Sequence, residues 1–179
     1  MRRILLLACI FILCLSLGSA QSDDQIQAAA QKALRAYELA TIQSSVQHAT
    51  ITLTGLVNLC RDRLLAVQMM KHIRGVKAVD DRIEIVGRHV PDEQLQPQVN
   101  RIISERIHRL GGFGFGSITA RLEGGVVTLT GTAAVRLAEP AIAAIASVSG
   151  VRNIVDRVRR IDPYDAGWAS NHPGFVLDQ

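Results

Sequence analysis

The hydrophobic positions of this chain change period in a fixed order, and they do so twice. Ile26, Ala30, Ala33, Leu34 and Tyr37 recur at helical spacing. Ser22, with Gln25 three residues later, is a capping box that marks where this helix begins. Ile42–Gln47 and Thr50–Thr54 then alternate and are rich in β-branched residues, predicting two strands around a tight turn at His48-Ala49. A second helix is expected from Asn58, a good N-cap, to Ile73, with Leu64, Leu65, Val67, Met69 and Met70 available to a core. Gly75 stops it, since a residue without Cβ enters the left-handed conformation cheaply. Val76, Val79, Ile83 and Ile85 supply a third strand.

The same succession returns further along. Val99, Ile102, Ile103, Ile107 and Leu110 make a helical stripe, and Ile118–Leu122 and Val126–Thr130 read as strands around Glu123-Gly124-Gly125. The next helix carries Ala138, Ile142, Ile145 and Val148 and ends at Gly150. Its start is expected near Leu137–Glu139, because Pro140 fits most easily in a first turn. Val151, Ile154, Val158 and Ile161 close the unit.

Matching motifs at nearly equal spacing mark the chain as a duplication. Residues 51–55 read ITLTG and residues 127–131 read VTLTG. GVKAVDDRI follows from Gly75, and GVRNIVDRV from Gly150. The expected fold is therefore α+β: two tandem αββαβ repeats, each a small three-stranded mixed sheet with two helices on one face. Repeat 1 is placed at 22–87, a linker with Pro91 and Pro97 at 88–97, repeat 2 at 98–161, and an aperiodic tail at 162–179. The other sheet face has no helix of its own, so docking of one repeat on the other, or of a partner, is expected to cover it.

The first twenty residues stand apart. Arg2 and Arg3 precede an almost wholly apolar Ile4–Leu17, and Gly18-Ser19-Ala20 offers small residues for cleavage, which reads as a secretory signal peptide cut after Ala20. The expected localisation is periplasmic or secreted. Cys9 and Cys14 leave with that segment, so Cys60 is left as a small half-buried hydrophobe or as a link between two chains.

Charge is uneven. The whole chain carries +4, and residues 98–161 hold nine Lys/Arg against four Asp/Glu, whereas residues 21–87 hold eight against seven. The tail 162–179 has three acids and no base. The second repeat is thus the basic one, which points to an anionic partner.

The signal peptide, the paired αββαβ pattern, the TLTG ending of the second strand and the Gly-Val-led final strand resemble the BON (bacterial OsmY and nodulation) family. Both repeats carry the resemblance. Its shared residues are structural glycines: Gly55 and Gly131 at strand ends, Gly75 and Gly150 at helix ends. The resemblance implies a non-enzymatic envelope protein that binds phospholipid surfaces or other envelope components, with envelope or osmotic stress protection as the setting. It maps no ligand pocket.

Catalytic chemistry finds little support. The five histidines are scattered, Cys60 has no identifiable His partner, and no P-loop or GxSxG elbow is present. No cofactor or metal is expected, and export argues against nucleic acid as a partner. The candidate lipid-binding residues fall in two groups. Arg101, Arg106 and Arg109 precede a glycine-rich run carrying Phe113 and Phe115, which would either fold back onto the core or enter a membrane interface. Glu105 lies four residues from both Arg101 and Arg109 and weakens that patch. Arg157 and Arg159 share one strand face while Val158 points to the other. The favoured reading is binding of an anionic phospholipid surface through the second repeat; the alternative is docking of another envelope protein or a second copy.

Overall fold

The structure is a computed structural model in which the described residues are 22–111 and 116–161, with side chains described outside 107–111. The expected signal peptide, Phe113, Phe115, the side chain of Arg109 and the tail 162–179 lie outside this description.

The first repeat runs α1 (Asp23–Ala36), β1 (Ile42–Gln47), β2 (Thr50–Val57), α2 (Cys60–Lys71), β3 (Ala78–Ile85). The second runs α3 (Asp92–Gly111), β4 (Gly116–Glu123), β5 (Val126–Ala134), α4 (Val135–Ala146), β6 (Asn153–Ile161). Two three-stranded sheets result, ordered β1-β2-β3 and β4-β5-β6. In the second, β4 is antiparallel to β5 and β6 is parallel to it. A hairpin joins the first pair, and α4 is the crossover that a parallel pair needs. This is the α+β duplication expected from the sequence.

Alternation along the strands decides which face is covered. Ile118, Leu122, Val127, Leu129 and Val158 are buried and pack with Leu95, Val99 and Ile103 of α3 and Ala138 and Ile145 of α4. Thr119, Thr130, Arg157 and Arg159, at the intervening positions, are exposed. Both helices therefore lie on one face, and the other is left open.

Two helix starts differ from the sequence expectation. α3 begins at Asp92, inside the stretch read as a linker. The Pro91 carbonyl accepts the N–H groups of Gln94 and Leu95, which opens the helix, and Asp92 and Glu93 suit the positive end of its dipole. Pro97 sits inside the helix and loses one backbone bond. Complete burial of Leu95 and Val99 on either side of it outweighs that loss. α4 likewise starts at Val135, two residues early, so Pro140 lies beyond the first turn. Its buried stripe of Leu137, Ala138, Ala141 and Ile145 holds the helix through it. In α2 the fully buried residues are Cys60, Ala66 and Met70, while Leu64, Leu65, Val67 and Met69 are half-buried. Cys60 is wholly inside rather than half-buried, so a disulfide to another chain requires opening the core around it.

Compactness does not follow the repeat boundary. Of the described residues, 22–54 with 67–82 form one unit and 55–66 with 83–161 form the other. Cys60 accordingly belongs to the core cluster of the second unit, beside the buried side chains of α3.

Candidate binding face of the second repeat

The hairpins are built first, because they set the strand register. His48 and Ala49 have φ of 52° and 61°, and Gly124 and Gly125 have 58° and 79°. Positive φ at both central residues gives the turn that matches strand twist. In the first repeat neither residue is glycine, and Asp23 holds the turn instead. Its two carboxylate oxygens accept the N–H groups of His48 and Ala49, each at 2.8 Å. Asp92 does the same for Gly124 at 2.6 Å and Gly125 at 2.9 Å.

This clamp was missed in the sequence, although a signal existed. Ser-Asp-Asp-Gln-Ile-Gln at 22–27 aligns with Pro-Asp-Glu-Gln-Leu-Gln at 91–96. The match sets Asp23 against Asp92 and Gln27 against Gln96. Reading Pro91 and Pro97 as linker residues hid it.

With the register fixed, the open face of the second sheet can be laid out in rows. Ser117, Thr132 and Arg159 face one another across the three strands, followed by Thr119, Thr130 and Arg157. The next row is Arg121, Thr128 and Val155, and the last is Glu123, Val126 and Asn153. The Thr119 and Thr130 hydroxyls are 2.9 Å apart, which confirms that the rows share a face. Arg121 is engaged by Glu123 at 2.5 Å, at the far end. No ion pair joins Arg157 or Arg159 to any described acid. The result is a flat surface of five hydroxyl side chains bordered by two exposed guanidinium groups.

Arginine forks match phosphate and carboxylate oxygens in a bidentate way, and hydroxyls can donate to or accept from the same ligand. The corresponding strand of the first repeat is different. Asp80 stands where Val155 does and lies 2.7 Å from Arg82, the counterpart of Arg157. Glu84 stands where Arg159 does. The same strand face is therefore neutralised in one repeat and cationic in the other.

The remaining candidates go elsewhere. Arg101 and Arg106 are exposed on α3, on the helix side of the sheet, so they are not brought together with Arg157 and Arg159. Arg160, next in sequence to Arg159, points to the helix side and is not free. It reaches Glu139 of α4 at 2.8 Å and Asp156 at 2.5 Å. The Arg160 hydrogen bond holds the Asp156 carboxyl below the usual carboxylate range; partial burial opposes this, and the Val158 N–H and the Arg160 charge add to it. Arg160 is correspondingly held above its ordinary value, chiefly by Asp156. A depressed carboxyl stabilises the fold fully above its unfolded pKa of about 4, and that contribution fades as pH falls below it. Asp156→Asn is therefore expected to flatten the acid side of a plot of thermal midpoint against pH. An unchanged acid limb counts against the linkage.

Two shallow grooves occur at matching places, one between α1 and β1 and one between α3 and β4. Among the described residues, Arg35 is the one charged side chain lining the first, and none lines the second. No group of three or more metal-ligating side chains is found among the described residues. No helix among them is long and apolar enough to cross a membrane.

Among solved structures, the C-terminal domain of CdsD, the structural protein of the type III secretion system of Chlamydia trachomatis, is 11% identical, with 79% of this chain and 100% of that one covered at a TM-score of 0.32. A second CdsD structure is also 11% identical, covering 84% and 98% at a TM-score of 0.30. That likeness is too loose to carry a functional argument. No curated protein matches the chain. The BON domain family model matches residues 22–87 and again 91–161, the second match beginning at the Pro91 that opens α3. The chain belongs to the BON domain family and carries two tandem copies of the domain.

Proposed function

We propose that this chain is an exported, non-enzymatic envelope protein whose second repeat binds anionic phospholipid surfaces, in the setting of envelope or osmotic stress. The observation that carries the reading is the open face of the β4-β5-β6 sheet, where Arg157 and Arg159 lie beside a hydroxyl-rich surface and have no acid partner among the described residues. A flat cationic face suits an extended anionic surface better than a small enclosed ligand. Each well-placed cation near such a surface contributes about 1 kcal/mol, so two give weak, reversible binding that salt weakens. The neutralised face of the first repeat explains why binding is assigned to one copy only.

Co-sedimentation with vesicles tests this. The purified protein is expected to pellet with anionic vesicles at low salt, to be released at high salt, and to ignore zwitterionic vesicles. Equal binding to both vesicle types, or none to either, overturns the proposal.

A further inference from the structure

The second sheet has two outer strands, and side chains of its own unit cover backbone groups on both. Along β4, the Gln96 amide Nε2 donates to the Ala120 carbonyl at 3.1 Å, and its Oε1 accepts the Leu122 N–H at 3.2 Å. A carbonyl and an N–H two residues apart are the groups that a neighbouring strand engages. A carboxamide offers the same donor and acceptor as a peptide unit. Gln96 thus occupies the place of an additional strand.

Along β6 the device differs and the outcome is the same. Asp156 accepts the Val158 N–H at 3.0 Å, and Arg160 Nη1 donates to the Val158 carbonyl at 2.7 Å. Both edge groups of one residue are taken by its neighbours two positions away on either side. Glu139 of α4 anchors the guanidinium against the sheet at 2.8 Å.

Stability alone is a poor account of this arrangement. Partly exposed ion pairs contribute little, and ordering an arginine costs side-chain entropy. Edge strands of eight and nine residues, left open, are templates for pairing with another chain. The glutamine also recurs with the duplication: Gln27 Nε2 donates to the Ser44 carbonyl of β1 at 2.8 Å. Every copy of the chain presents the same two edges, so another copy is the strand donor always at hand.

We propose that Gln96 and the Asp156–Arg160–Glu139 set are edge guards, which keep a second copy of this chain from adding its strand to β4 or β6. The test is sedimentation velocity of the purified protein and of the Gln96→Met/Arg160→Met variant over a wide range of concentration. Methionine matches the glutamine in length, keeps an apolar stem in place of the arginine, and removes the groups that cap both edges. The variant is expected to retain its circular dichroism and to form dimers or larger species at concentrations where the parent's mass is unchanged. A folded variant that sediments like the parent at every concentration overturns the proposal. Should the double change abolish the cooperative thermal transition, Gln96→Met alone gives the same reading, with the same two outcomes.

Discussion

Gly131→Ala is expected to lower the stability of the second repeat by roughly 3 kcal/mol or more, combining positive-φ strain with forced overpacking. Gly131 ends the VTLTG motif in β5 with φ of 120°. A Cβ placed there would lie 2.1 Å from the Ser117 carbonyl oxygen and 3.1 Å from its carbon. Both atoms are backbone in the adjacent strand, so nothing can rotate away, and relief requires β4 and β5 to separate. Since a domain typically has only about 5–15 kcal/mol in total, such a loss is a large part of it. Gly124→Ala is the matched control. It also has positive φ, at 58°, but a Cβ there meets nothing within 4 Å. Its cost should be limited to about 1 kcal/mol of left-handed backbone preference. Urea unfolding of the three proteins measures both; equal, small losses at the two positions would show that the close approach in β5 does not matter.

The TLTG motif was legible because it recurs in both repeats. Its glycine, expected at a strand end, lies inside the strand, since β2 runs on to Val57 and β5 to Ala134. What demands glycine at 131 is the Ser117 backbone of the neighbouring strand. The order of elements was legible because period and turn chemistry change together. The errors in the helix starts came from prolines. Pro91 and Pro97 look like linker punctuation, and Pro140 looks like a first-turn residue, because propensity is a local quantity. What keeps α3 and α4 helical through Pro97 and Pro140 is burial of Leu95, Val99, Leu137 and Ala141, and burial is decided by the whole fold. The side of the strand taken by Arg157 and Arg159 followed from alternation. Their freedom from acids did not, since it depends on Val155 standing where the first repeat has Asp80, and on Arg160 being diverted to Glu139 and Asp156. Pairings across β4, β5 and β6 join residues up to 27 positions apart, and no short window along the chain contains them.

That comparison between the repeats leads to the second large effect. Replacing Arg157 and Arg159 together with glutamine should remove about 2 kcal/mol of attraction to an anionic surface, on the order of thirtyfold in vesicle affinity. Both side chains are exposed and leave the buried face of β6 untouched, so the thermal midpoint should hardly move. Val155→Asp is the sharper change. It places a carboxylate two residues before Arg157 on the same strand face, reproducing the Asp80–Arg82 pair that closes to 2.7 Å in the first repeat. One substitution then neutralises Arg157 and leaves Arg159, so binding should fall by about 1 kcal/mol, half the loss of the double glutamine variant. The opposite change, Asp80→Val, frees Arg82 and should strengthen binding modestly. Arg101→Gln/Arg106→Gln on α3 separates the two candidate surfaces, because those side chains project from the helix side of the sheet. If this helix variant loses vesicle binding while the Arg157/Arg159 variant keeps it, the surface is met by α3 and the open sheet face is not the site. If the losses fall on Arg157, Arg159 and Val155→Asp, the face is assigned, and the carboxylates at positions 80 and 84 are what distinguish the silent repeat from the binding one.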